Sequence, residues 1–174
     1  MKKLFGFTLL FLVIGLVSSS PASAQRLGSG ANAFGASGQV VITGELEGHL
    51  HNGWNLHLQP SADYFIATNI SIGGLIGYTH VSGNPAFDSF NLGARAGYNL
   101  AITDAVTFWP KVGITVGHAF GSTGNTSSQL TIFAPFLFHL VPHLFVGAGP
   151  DFELELSGSG GNGYGLQSVV GGWF

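Results

Sequence analysis

The chain has 174 residues, of which 7% are Asp, Glu, Lys or Arg, 45% are hydrophobic and 28 are glycine. An ordinary soluble domain carries about 25% charged residues, so this composition argues against a disordered chain and against a typical cytosolic enzyme. Five Lys and Arg are too few for the basic stripe of a nucleic-acid-binding protein, and without cysteine there is no disulfide framework or zinc-thiolate site.

Residues 1–24 read as a cleavable signal peptide. Lys2 and Lys3 form a positive n-region, Leu4 to Val17 an uncharged apolar h-region, and Ala22-Ser23-Ala24 a small-residue cleavage site. A transmembrane anchor is the alternative, but the apolar run is short for one. Beyond Ala24 the chain keeps Arg26, Arg95 and Lys111 against eight acids, with no apolar run near 20 residues. Residues 25–38, rich in Gly, Ala and Ser, read as a flexible leader.

From Val40 onward the chain counts in twos. Val40, Ile42, Gly44 and Leu46 alternate with Thr43, Glu45 and Glu47, the period of a strand with one apolar and one polar face. Eight strands are predicted, at 39–51, 54–65, 70–81, 88–100, 105–119, 129–140, 143–156 and 164–174. Asn52-Gly53 is a hairpin turn signal. Polar stretches at 82–85, 121–128 and 157–163 make longer loops at one end. Tight connections near 67–69, 103–104 and 141–142 sit at the other. Pro60, Pro110, Pro135 and Pro150 fall inside these strands and must sit at bulges or at misplaced boundaries.

Even positions carry the apolar set, and odd positions carry Glu45, Glu47, Asp63, Arg95, Lys111, Asp151, Glu153 and Glu155. A soluble barrel places charges outside, whereas a membrane barrel places lipid outside and polar groups within. The fold class predicted is all-β, an eight-stranded antiparallel up-and-down transmembrane β-barrel over 39–174. Outward Trp54, Tyr78, Phe90, Phe152 and Tyr164 form one aromatic girdle. Tyr64, Tyr98, Phe108, Phe138 and Phe174 form the other.

The segment Trp54-Asn55-Leu56-His57-Leu58-Gln59-Pro60-Ser61-Ala62-Asp63-Tyr64-Phe65, with Ile66 to Gly73 after it, resembles a strand–turn–strand unit of small Gram-negative outer-membrane barrels. These are the OmpA/OmpX-like and OmpW-like proteins, known collectively as the outer membrane protein beta-barrel domain. The terminal Gly172-Trp173-Phe174 is similar to their C-terminal signature, in which the last aromatic, here Phe174, is an assembly signal. The resemblance implies an integral cell outer-membrane location. It also implies contact with outer-membrane lipid and lipopolysaccharide, and handling by periplasmic chaperones and the barrel-assembly machinery. A monomer is expected, with no nucleic acid partner and no cofactor.

An eight-stranded barrel is just wide enough for side chains to fill. Trp109, Leu137, Phe145 and Trp173 are the expected plug at the periplasmic end. Above them, Arg95 and Lys111 face Glu45, Glu47, Asp151 and Glu153 as a lumen polar network, structural by default and an ion or proton gate in the sharper alternative. His49, His51 and His57 near the upper mouth are weak metal candidates, since imidazole suits zinc or copper but their spacing matches no ligand motif. His80-Val81-Ser82, with Asp88 to orient the imidazole, has the His-x-Ser spacing that some lipid A-modifying barrels carry, though on an earlier strand. The expected role is therefore structural or envelope integrity, possible weak solute passage, and no catalysis. The alternatives are a surface adhesin or small-ligand or ion-binding barrel, and a lipid A-modifying enzyme.

Overall fold

The computed structural model describes residues 33–50, 54–82, 86–120, 124–158 and 162–174, with backbone alone at 46–50 and 54–55. The signal peptide, the first part of the leader, the Asn52-Gly53 turn and the side chains of Glu47, His49, His51 and Trp54 lie outside the described residues.

The described chain is all-β. Its strands are β1 (Val40–Leu50), β2 (Trp54–Ala67), β3 (Ile70–Val81), β4 (Phe87–Tyr98), β5 (Leu100–Thr103), β6 (Val106–Phe108), β7 (Lys111–Phe120), β8 (Asn125–Phe133), β9 (Phe136–Val141), β10 (Leu144–Ser157) and β11 (Gly163–Trp173). The order β1-β2-β3-β4-β7-β8-β10-β11 returns to β1, so the sheet forms an eight-membered antiparallel ring. The three extra strands are lower continuations: β5, β6 and β9 pair in turn and join β10.

Two of the four prolines cause those interruptions. Pro110 separates β6 from β7, and Pro135 separates β8 from β9, because proline has no N–H to give to the ladder. The other two stay inside strands. Pro60 opposes Gly44 on β1, and the β2–β3 ladder skips from Leu58 to Ser61 beside it. Pro150 sits where β8 gives way to β9, its carbonyl accepting from Ala134 N–H at 3.0 Å.

Two-residue turns at 68–69, 104–105 and 142–143 gather at one end. Asn69 and His143 adopt φ of 66° and 69° there, and asparagine tolerates that region better than most residues.

Burial follows the parity of the sequence. Even-numbered Ile42, Leu58, Ile72, Leu92, Ile114 and Val170 are about half exposed on the outside. Odd-numbered Val41, Phe65, Trp109, Leu137, Phe145 and Trp173 are buried inside, together with Glu45, Asp63, Arg95 and Lys111. Outward Tyr78, Phe90 and Phe152 lie near one end, with Tyr64, Tyr98 and Phe138 near the other.

Residues 33–38 differ from the flexible leader expected of them. Ala33 to Gly38 turn back into the ring and place Phe34 in its core, 8% exposed. Gly35 has φ +96°, and a Cβ there would lie 2.7 Å from both Asn69 Oδ1 and Asn99 Nδ2. Composition alone suggested a linker, but one aromatic side chain with a cavity to fill outweighs five small neighbours.

Candidate functional site: a plugged polar lumen

The lower lumen is filled by rings. Phe34 sits at the centre, its centroid 5.2–5.4 Å from Phe65, Trp109, His139, Phe145 and Trp173. Phe65 stacks on Trp109 at 5.8 Å and Phe145 on Trp173 at 6.1 Å. Leu137 is fully buried beside them. The structure thus brings Trp109, Leu137, Phe145 and Trp173 together, around a residue the sequence argument had left in the leader. Anchoring is polar: Asn99 Nδ2 donates to Phe34 O at 3.1 Å, Asn69 N–H to Gly35 O at 2.7 Å, and Gly35 N–H to Gln39 Oε1 at 2.9 Å. Glycine leaves room for the rings. A Cβ on Gly171 would lie 2.7 Å from Phe145 Cζ and from Ile42 O. Gly171→Ala is therefore expected to destabilise the refolded protein by about 1–3 kcal/mol, the usual cost of overpacking, as read from urea unfolding in lipid vesicles.

Above the plug lies a saturated ionic network. Arg95 Nε donates to Asp63 Oδ1 at 3.0 Å, and Nη2 to Asp63 Oδ2 at 2.5 Å and Ser61 Oγ at 2.6 Å. Arg95 Nη1 donates to Glu45 Oε1 at 3.2 Å. The second Glu45 oxygen accepts from Gln59 Nε2 at 2.5 Å and Gln167 Nε2 at 2.8 Å. Thr43 and Ser61 hydroxyls share a hydrogen bond beside the guanidinium. Arg95, Glu45 and Asp63 are all buried, so each ion's desolvation is offset by a counter-charge and by hydrogen bonds to the remaining lone pairs.

Of the residues assigned to the lumen network, Glu45 and Arg95 are in contact. Asp63 had not been assigned to it, yet it supplies the bidentate partner. Parity places Asp63 inside but cannot say which residue faces it across the ring. Lys111 stands apart from the carboxylates: its Nζ lies 4.2 Å from the Trp109 centroid and 5.3 Å from that of Phe133, with no hydrogen-bond partner. Two aromatic faces hold this ammonium by cation–π attraction. Asp151 and Glu153 sit higher on β10, opposite Gly165 and Gly163 of β11.

Over the network opens a cavity of about 1200 Å³. Its floor is Glu45, Arg95, Lys111 and Phe133, its walls carry Gln59, Asn91, Thr115, Gln129, Glu153 and Gln167, and it reaches Ala86, Phe120, Gly124 and Gly158 at the loop end. None of the five plug rings, Phe34, Phe65, Trp109, Phe145 and Trp173, lines it. The lumen is a polar cup closed below.

The other candidates fall elsewhere. His57 Nδ1 pairs with Thr79 Oγ1 at 2.8 Å. Among the described residues no group of three or more His, Cys, Asp or Glu is placed to hold a metal ion. Outside the ring, His80 Nδ1 lies 2.8 Å from Asp88 Oδ1, so the carboxylate proposed to orient the imidazole does contact it. The same oxygen accepts from Tyr78 Oη at 2.7 Å.

A ring of eight antiparallel strands, apolar outside and polar within, is the fold of the small Gram-negative outer-membrane β-barrel proteins, and this chain shares it. The chain is similar to Neisserial surface protein A, with TM-score 0.55 and 17% identity, covering 78% of this chain and 95% of that one. It is similar to the N-terminal β-barrel domain of Pseudomonas aeruginosa OprF (TM-score 0.56, 14% identity, 79% of this chain and 98% of that one). It also resembles Ail, the attachment invasion locus protein of Yersinia pestis (TM-score 0.51, 15% identity, 79% and 99%). No protein-family model matches the sequence, and no curated protein matches it.

Proposed function

We propose that the chain is a monomeric, non-enzymatic transmembrane barrel of the outer membrane. It is exported by the signal peptide of residues 1–24 and assembled through Phe174 by the barrel-assembly machinery. It stands in lipid and lipopolysaccharide as a wall element whose lumen is a blind, outward-facing cup for a small polar ligand. The observation that carries this is the pairing of a half-exposed apolar exterior with a buried Arg95–Asp63–Glu45 interior over an aromatic plug. A charged residue at the mid-depth lipid face costs about 2–4 kcal/mol. Every ion of that network points away from lipid.

The plug weighs against solute passage, and the cup favours ligand binding over a purely structural role. Ail has been solved with the heparin analogue sucrose octasulfate. A polyanion suits this chain poorly, since its lumen acids outnumber Arg95 and Lys111.

The test is single-channel recording in planar bilayers. The refolded protein is expected to stay closed, while the Phe34→Ala/Trp109→Ala double variant conducts. Steady conductance of the unmodified protein would reject the blind cup. Lipid A isolated from cells expressing the protein is expected to keep its acyl chains in mass spectra. An acyl loss that Ser82→Ala abolishes would establish the lipid A-modifying enzyme instead.

A further inference from the structure

Among the described residues, five buried side-chain polar atoms have no hydrogen-bond partner. Those on Asn99, His139 and Trp173 belong to residues outside the lining of the cup. The other two, Lys111 Nζ and Asn91 Oδ1, belong to residues that line it. An ammonium has three N–H groups to donate, and a buried charge without hydrogen bonds is costly. Attraction to the Trp109 and Phe133 rings offsets part of that cost and satisfies none of the three donors.

This lysine is held from below. Trp109 Nε1 donates to Ser71 Oγ at 3.2 Å, which fixes the indole. A Cβ on Gly97 would lie 2.9 Å from Lys111 Cγ and 2.8 Å from Trp109 Nε1, so both side chains pack over bare backbone. Trp109 does not line the cup and Lys111 does, so Lys111 is the boundary between plug and cup. It is also the diagonal neighbour of Arg95, since Arg95 opposes Gly113 and Gly97 opposes Lys111. Arg95 takes both buried acids, Asp63 and Glu45. Lys111 is left as a cation under an open cavity, with no acid in contact among the described residues.

We propose that Lys111 is a carboxylate subsite at the floor of the cup. A small monocarboxylate enters from the loop end, acid first, and its body bonds to the wall. The flexible four-carbon stem of the lysine lets Nζ turn from the rings to meet it. A carboxylate accepts several hydrogen bonds and supplies the missing counter-charge. Only one negative charge fits. Every guanidinium nitrogen of Arg95 already donates, and Asp151 and Glu153 stand on the wall above, where a second anionic group meets like charge. The body is therefore neutral and rich in donors and acceptors. It suits the amides and hydroxyl of Gln59, Gln129, Gln167 and Thr115, and it brings a donor to Asn91 Oδ1. Sugar acids and short peptides share that chemistry. The subsite rests on the cup proposed above.

Isothermal titration calorimetry on the full chain in nanodiscs compares two matched pairs of probes. One is galacturonate with galactose, the other acetyl-trialanine with its C-terminal amide. In the unaltered protein at least one acid is expected to bind about tenfold or more tightly than its neutral partner, the worth of a hydrogen bond to a charged group. The pair that shows the preference tells a sugar acid from a peptide. Lys111→Met keeps a stem of similar length against Trp109, and there the preference is expected to fall to about twofold or less while the neutral partners bind as before. Equal binding of acid and neutral partner by the unaltered protein, or a preference that survives Lys111→Met, overturns the subsite and leaves the cup standing. Binding of none of the four probes also overturns the subsite, and the closed cup then stands or falls by the bilayer recordings alone.

Discussion

Arg95→Met is expected to destabilise the refolded barrel by about 3–5 kcal/mol, the usual penalty for stranding buried counter-charges. Among the described residues, the guanidinium is the one group that contacts both Asp63 and Glu45, at 2.5 Å and 3.2 Å, and all three side chains are almost fully buried. Methionine fills similar space but leaves two carboxylates without a cation. Lys111 makes no ion pair with either carboxylate in the folded chain, its ammonium lying against Trp109. Urea unfolding in vesicles, with and without Asp63→Asn and Glu45→Gln, measures the effect. The triple variant should recover most of the loss, because removing the stranded charges removes their desolvation cost. A single-variant loss below about 1 kcal/mol, the range of a solvated pair, would mean that the network is wet.

Phe34→Ala should cost about 3–5 kcal/mol, as for other large-to-small core changes. Its ring touches five others and is their common neighbour, so the cavity left behind cannot close by moving one side chain. Loss of near-ultraviolet circular dichroism from Trp109 and Trp173 should accompany it. Phe34→Leu, which keeps most of the volume, should cost under about 1.5 kcal/mol. A residue of a solvated leader would change stability by no more than about 0.5 kcal/mol, so the size of the effect decides whether this segment belongs to the barrel.

How far the sequence could be followed differs between these two sites. Parity along each strand is local, and it placed Glu45, Arg95, Trp109, Phe145 and Trp173 on one face without knowledge of their neighbours. Strand breaks were partly legible: proline marks where a ladder donor is missing, but Pro110 and Pro135 cut their strands while Pro60 and Pro150 do not. Phe34 carried only the signal of one aromatic in a run of small residues, outside any alternating pattern. Asp63 was visible as inward but not as the partner of Arg95, 32 residues away.

The sequence by itself determined the class of fold and the two environments of its wall. Period-two alternation, scarce charge and glycine throughout leave few ways to satisfy backbone and side chains together, and those signals need only near neighbours. The tertiary structure decided what lies across the ring. Which acid holds Arg95, what Lys111 rests against and the return of residues 33–38 as a stopper all depend on stagger between strands. Stagger is set by closure of the whole sheet, so no stretch of sequence carries it alone.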